Sequence, residues 1–176
     1  MWPFSIWRNA REKAFIREAF SRYLSPELPE DILTNPRRFP PLEKRTVFFA
    51  LAQVRDEDLA AMAERLKRAA DIAAKAQGMM DFMPPFLMIT FGFPFDDEPE
   101  NLRIERHRMI EDLLRDGGHD LRIVYGDADS LVGNVGCERR FSYGAAIPGL
   151  SAAMQHLLAL EFGSAVEAPM SREQIP

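Results

Sequence analysis

A single cysteine, Cys137, stands in 176 residues. It excludes an internal disulfide and any structural zinc site built on several thiolates. The compartment that suits such a chain is a reducing one, the cytoplasm. Three histidines, His107, His119 and His156, show neither ligand spacing nor a carboxylate partner in sequence, so they define no metal motif. Cations are not in excess: 22 Lys and Arg against 27 Asp and Glu give a net charge of −5. Affinity for a phosphate backbone comes from clustered cations, so nucleic acid is not an expected partner. No run approaches the roughly 18–20 apolar residues that span a bilayer. The opening MWPFSIWR is apolar for only seven residues and has no basic leader, so it does not read as a secretory signal. There is no internal repeat and no low-complexity tract. Gly133, Asn134 and Gly136 lack the rest of a GxxxxGK[ST] phosphate loop.

What is present is the balance of one ordinary globular domain, 47% hydrophobic and 28% charged, large enough to bury a core without staples. Residues 1–41 read as an arm before that domain. Trp2, Phe4, Ile6 and Trp7 are followed by Arg8, Arg11, Lys13 and Arg17. Aromatics followed by cations suit a membrane-surface anchor; packing of the rings on the domain or on a second chain accounts for them more simply and is the favoured reading. Over 9–24, Phe15, Ile16, Ala19, Phe20, Tyr23 and Leu24 recur at helical spacing. SPELPED then breaks the pattern, with Ser25 as a cap and Pro26 at a first helical position.

The main domain is expected over 42–165, with a flexible tail at 166–176. KRTVFFALAQV (44–54) carries a continuous apolar run, as in a strand buried on both faces. Residues 57–77 read as a helix with Leu59, Met62, Ala63, Leu66, Ala70 and Ala73 on one face. GMMDFMPPFLMITFG (78–92) has an apolar strand on either side of Pro84-Pro85 and reads as a hairpin. A helix over 99–116 ends at Gly117-Gly118, with Asp96, Asp97 and Glu98 complementing the dipole at its start. LRIVYG (121–126), SLVGNVG (130–136) and FSYGAAI (141–147) read as strands, and 149–163 as a last helix. Asp127 and Asp129 read as turn formers rather than a relocated metal site. The nine methionines read as adaptable packing. The order predicts an α+β fold: one sheet with helices packed on one face, plus the N-terminal helical arm.

Several segments, in this order, resemble the class III nucleotidyl cyclases, the adenylate and guanylate cyclase homology domain. FSRYLSPEL (20–28) with DIL and NP resembles the transducer element that precedes the domain in bacterial members. EKRTVFFA (43–50) resembles its first strand and ITFGFP (89–94) the strand leaving its metal hairpin. LVGNVGCERRFSYG (131–144) is the nearest match. The resemblance implies a ferredoxin-like sheet and a chemistry of six side-chain roles. Two aspartates hold two divalent ions on the triphosphate, a lysine and a second polar residue read the base, an asparagine orients the ribose, and an arginine stabilises charge on the phosphate.

Set against the flanking motifs, the metal aspartates fall at Leu51 and Pro85, and the base-reading lysine at Asp81. The second base reader falls at Pro148, the asparagine at Ser151 and the arginine at Gln155. All six are changed, and leucine and proline offer a hard cation no side-chain oxygen. The expectation is therefore a catalytically inactive cyclase-like domain with no catalytic, metal or cofactor residues. It would act as a dimerising regulatory or scaffold module in cyclic-nucleotide-type signalling. The alternatives are a divergent active cyclase and a sensor that binds a nucleotide-sized ligand without turnover. The expected partners are a second copy and a related cyclase or signalling protein. The residues expected to hold the pairing surfaces are Phe15, Phe20, Tyr23 and Leu24 of the arm and Gly133, Asn134, Val135 and Gly136 of the hairpin.

Overall fold

The structure, a computed structural model, describes residues 42–55, 58–92, 99–134 and 143–168, without the side chains of 99–103, Asn134 and Tyr143. They belong to the unit Leu42–Pro176, one of two into which the chain divides; the other is Met1–Pro41. The expected arm, with Phe15, Phe20, Tyr23 and Leu24, lies outside the described residues, as do Val135, Gly136 and Cys137.

Chain order is β1 (Glu43–Val54), α1 (Leu59–Lys75), β2 (Met79–Met83), β3 (Phe86–Phe91), α2 (Pro99–Gly117), a 3-10 turn (Gly118–Asp120), β4 (Leu121–Asn134), β5 (Tyr143–Ala146), α3 (Leu150–Ala159) and β6 (Ala165–Glu167). The strands lie in the order β2-β3-β1-β4-β5, with β6 also on β4. The β1-α1-β2-β3-α2-β4 portion has the ferredoxin-like arrangement. β1 is central: it pairs antiparallel with β4 from Glu43↔Val132 to Val54↔Leu121 and with β3 from Phe48↔Phe91 to Gln53↔Phe86.

Successive side chains of a strand point to opposite faces, and the two faces of β1 enter two separate cores. Phe48, Ala50, Ala52 and Val54 pack with Leu87, Ile89 and Ile123 under Leu66, Ala69 and Ala73 of α1 and Met109, Ile110 and Leu113 of α2. Val47, Phe49 and Leu51 pack with Val124, Ala128 and Val132 under Ala153 and Leu157 of α3. The α+β class expected from sequence is the one found. Its helices, however, cover both faces, not one, because a strand with no polar side needs a layer on each.

Local chemistry sets the element ends. Asp58 caps α1, its carboxylate accepting from the backbone N–H groups of Ala60 and Ala61 at 3.4 and 3.0 Å. Beginning the helix there leaves Leu59 76% exposed at its tip, so the buried stripe is Met62, Leu66, Ala69, Ile72, Ala73 and Ala76, rotated from the expected one. α1 ends with Gln77 at φ 62° and with the Gly78 N–H donating to Ala73 C=O at 3.0 Å, the closure of a Schellman-type cap. A Cβ on Gly78 would sit 2.6 Å from Ile89 Cγ2, so only glycine lets the chain turn here against β3.

β4 is one strand of 14 residues where the sequence suggests two. Asp127 and Asp129 are therefore strand residues, not turn residues. They are exposed, and Asp129 accepts a hydrogen bond from Thr46 Oγ1 at 2.9 Å. The last helix ends at Ala159, not 163, and Ala165–Glu167 pair in parallel with Ile123–Tyr125. The first residues of the expected tail are thus in the sheet, and Ala168 is buried.

Candidate functional site

Residues facing each other across neighbouring strands share a face of the sheet. Asp81↔Met88, Met88↔Leu51 and Leu51↔Val124 form one such row from β2 to β4. Two of the six positions marked in the sequence, Leu51 and Asp81, thus stand in one row on the α3 side. Leu51 is fully buried in the core beneath Ala153 and Leu157. Asp81 is exposed at the sheet margin. Pro85 occupies the β2-β3 turn, where its carbonyl accepts from the Val54 N–H at 3.0 Å. That is three positions along β1 from Leu51, about 10 Å of strand.

The other three positions lie on the far side of α3. Pro148 precedes the helix, and Ser151 and Gln155 are exposed on it. They are four residues apart and share a stripe, while Ala153 between them faces the sheet. The two sets therefore do not meet within one chain. Of the hairpin residues, Gly133 is a buried β4 residue at φ 146°, opposite Gly144, and Asn134 is opposite Tyr143.

The donor set does not fit a pair of divalent ions. Leu51 and Pro85 carry no side-chain oxygen, and the neighbours of Leu51 in its core are apolar side chains. Asp81 is one carboxylate where two are needed. Among the described residues no three His, Cys, Asp or Glu side chains are grouped to hold a metal ion.

The polar end of the same face does hold something. Gln53 and Arg122 are paired in register. Arg122 donates from Nε and NH2 to Gln53 Oε1 at 2.8 and 2.6 Å. Its NH1 donates to the carbonyls of Leu158 and Leu160 at 3.0 and 2.6 Å. These are carbonyls that the end of α3 leaves without helical partners, and a cation there also opposes the helix dipole. The guanidiniums of Arg122 and Arg55 stand 4.5 and 4.4 Å from the Phe162 ring centroid. Desolvation, and after it the Arg55 charge, hold Arg122 below the ordinary arginine value. Sequence reading missed this clamp. Its one signal is an arginine inside the apolar strand LRIVYG, and its partners lie 36 to 69 residues away.

The fold is that of adenylyl and guanylyl cyclase domains. The adenylyl cyclase CyaB from P. aeruginosa matches with a TM-score of 0.54 at 16% identity, over 73% of this chain and 79% of that one. The guanylate cyclase domain of RhGC from Catenaria anguillulae, solved in complex with GTP, matches with 0.56 at 10%, over 72% and 80%. A bacterial light-regulated adenylyl cyclase matches with 0.62 at 11%, over 89% of this chain and 51% of its own; the chain spans about half the length of that protein. No protein-family model matches the chain, and no curated protein matches it in sequence. Likeness at such identity is a likeness of fold, and function has to be argued from the site.

Placing an aspartate at the centre of the row is expected to damage the protein. Leu51→Asp puts a carboxylate into hydrocarbon, with an expected loss of about 3–5 kcal/mol at pH 7 in urea unfolding. Burial raises the folded-state pKa of that carboxyl. The penalty is therefore smallest below about pH 4, where both states are protonated, and grows as pH rises above it. Leu51→Asn, without charge, is expected to show a loss that does not change with pH over the same range. A loss under about 1 kcal/mol at pH 7 would mean that position 51 reaches solvent or a cation.

Proposed function

We propose that this chain is a catalytically inactive nucleotidyl-cyclase-fold module that pairs with a second copy of itself and serves as a regulatory or scaffold element in cyclic-nucleotide-type signalling. The observation that carries this reading is Leu51: the position aligned with the first metal aspartate is fully buried in an apolar core. The aligned replacements at Pro85 and Asp81 leave the same half of the site without its second carboxylate and with reversed charge at the base reader. Pro148, Ser151 and Gln155 leave the other half without arginine or asparagine.

Two features support pairing. The sequence of 9–24 spaces Phe15, Phe20, Tyr23 and Leu24 as one helical stripe would, and an apolar stripe of that size would require a cover. The hairpin with Gly133, Asn134, Val135 and Gly136 keeps the family's sequence although the six functional positions have changed.

Purified protein incubated with ATP or GTP and magnesium or manganese is expected to release no cAMP or cGMP above a mock preparation. Metal-dependent product that scales with protein would overturn the inactive reading. Light scattering at tens of micromolar is expected to give twice the 20.1 kDa chain mass, and deletion of 1–41 to leave a monomer of the shortened chain or to lower the solubility. A monomer at that concentration, unaffected by the deletion, would overturn the pairing.

A further inference from the structure

Among the described residues β2 ends the sheet: it pairs with β3 and with no other strand. A sheet margin displays backbone N–H and C=O groups without partners, and proteins usually guard it with lysines, prolines, bulges or a covering element. β2 has the sequence MMDFM. It carries no lysine, and its prolines come only after its last residue. Phe82 and Met83 are 45% and 47% exposed, Met79 and Met80 are half-buried, and Asp81 is exposed between them. Met80 and Phe82 lie on one face, Met79, Asp81 and Met83 on the other. The margin is therefore apolar on both faces and carries one charge at its centre.

That charge discriminates between occupants. If two copies pair antiparallel over all five residues, each Asp81 faces its twin, and like charges directly opposite are destabilising. Shifting the axis to Phe82 avoids this but draws Pro84, which has no N–H, into the ladder. Shifting it to Met80 leaves only three residue pairs. A strand with a cation opposite Asp81 meets no such conflict and gains an opposite-charge pair.

We propose that the outer margin of β2 receives an extended segment of another protein as an added antiparallel strand. The segment carries a lysine or arginine opposite Asp81, flanked by large apolar residues that cover Phe82 and Met83. Main-chain hydrogen bonds supply affinity in this mode, and side-chain pairs supply selectivity.

The test titrates the full chain with two blocked, fluorescently labelled five-residue peptides, Val-Phe-Lys-Phe-Val and Val-Phe-Glu-Phe-Val, read by anisotropy. The lysine-centred peptide is expected to bind about fivefold more tightly than its twin, and Asp81→Lys to reverse that order. Phe82→Thr, which keeps strand propensity, is expected to weaken both peptides. Failure of both peptides to bind at millimolar concentration, or a preference unmoved by Asp81→Lys, overturns the proposal. Self-association of Asp81→Asn without capture of either peptide also overturns it, in favour of a second copy as the occupant.

Discussion

Six consecutive residues of β1, Val47 to Ala52, have 5% exposure or less. The arrangement of the rest follows from burying that strand on both sides. β4 lies along its whole length and β3 along half of it. The residues at Phe48, Ala50 and Ala52 require one helical layer, supplied by α1 and α2, and those at Val47, Phe49 and Leu51 require another, supplied by α3. At about 25 cal/mol per Å² of apolar surface, neither face of such a strand can be left wet.

The two layers are unequal. α1 and α2 together have 36 residues, while α3 has ten and buries only Ala153 and Leu157 fully. A short helix with so small a buried face needs additional fixing. The Arg122 clamp provides it by tying the carbonyls at the end of α3 to Gln53 of the central strand. The α3 side of the sheet is thus filled by apolar side chains in the middle and held by a guanidinium at one end. The residues that hold α3 in place are distinct from the six positions marked in the sequence.

The central strand, the Pro84-Pro85 hairpin, α1 and α2 were legible in the sequence because each depends on a local pattern: an apolar run, two prolines, a stripe at helical spacing, or an acidic start with a Gly-Gly end. The distribution of the helices was legible in principle, since VFFAL already lacks a polar side. β4 was split at Asp127 and Asp129 because carboxylates between apolar runs look like a turn, and only their pairing with Phe48 and Thr46 of β1 makes them ordinary strand residues. β6 is three residues long and exists through its pairing with β4, which no local pattern announces. At the site, the identities of Leu51, Pro85 and Asp81 could be read directly. That Leu51 and Asp81 share one row, and that Ser151 and Gln155 lie across α3 from it, depends on register and packing. The Gln53–Arg122 pair spans 69 residues and could not be read at all.

The central proposal is that this cyclase-like fold carries out no nucleotide chemistry. Calorimetric titration of the full chain with ATP and with GTP, each with and without manganese, tests this most directly. The account predicts no saturable heat in any of the four titrations, because the core around Leu51 offers no ligand to a metal-bound triphosphate. Saturable, manganese-dependent binding of either nucleotide would contradict it.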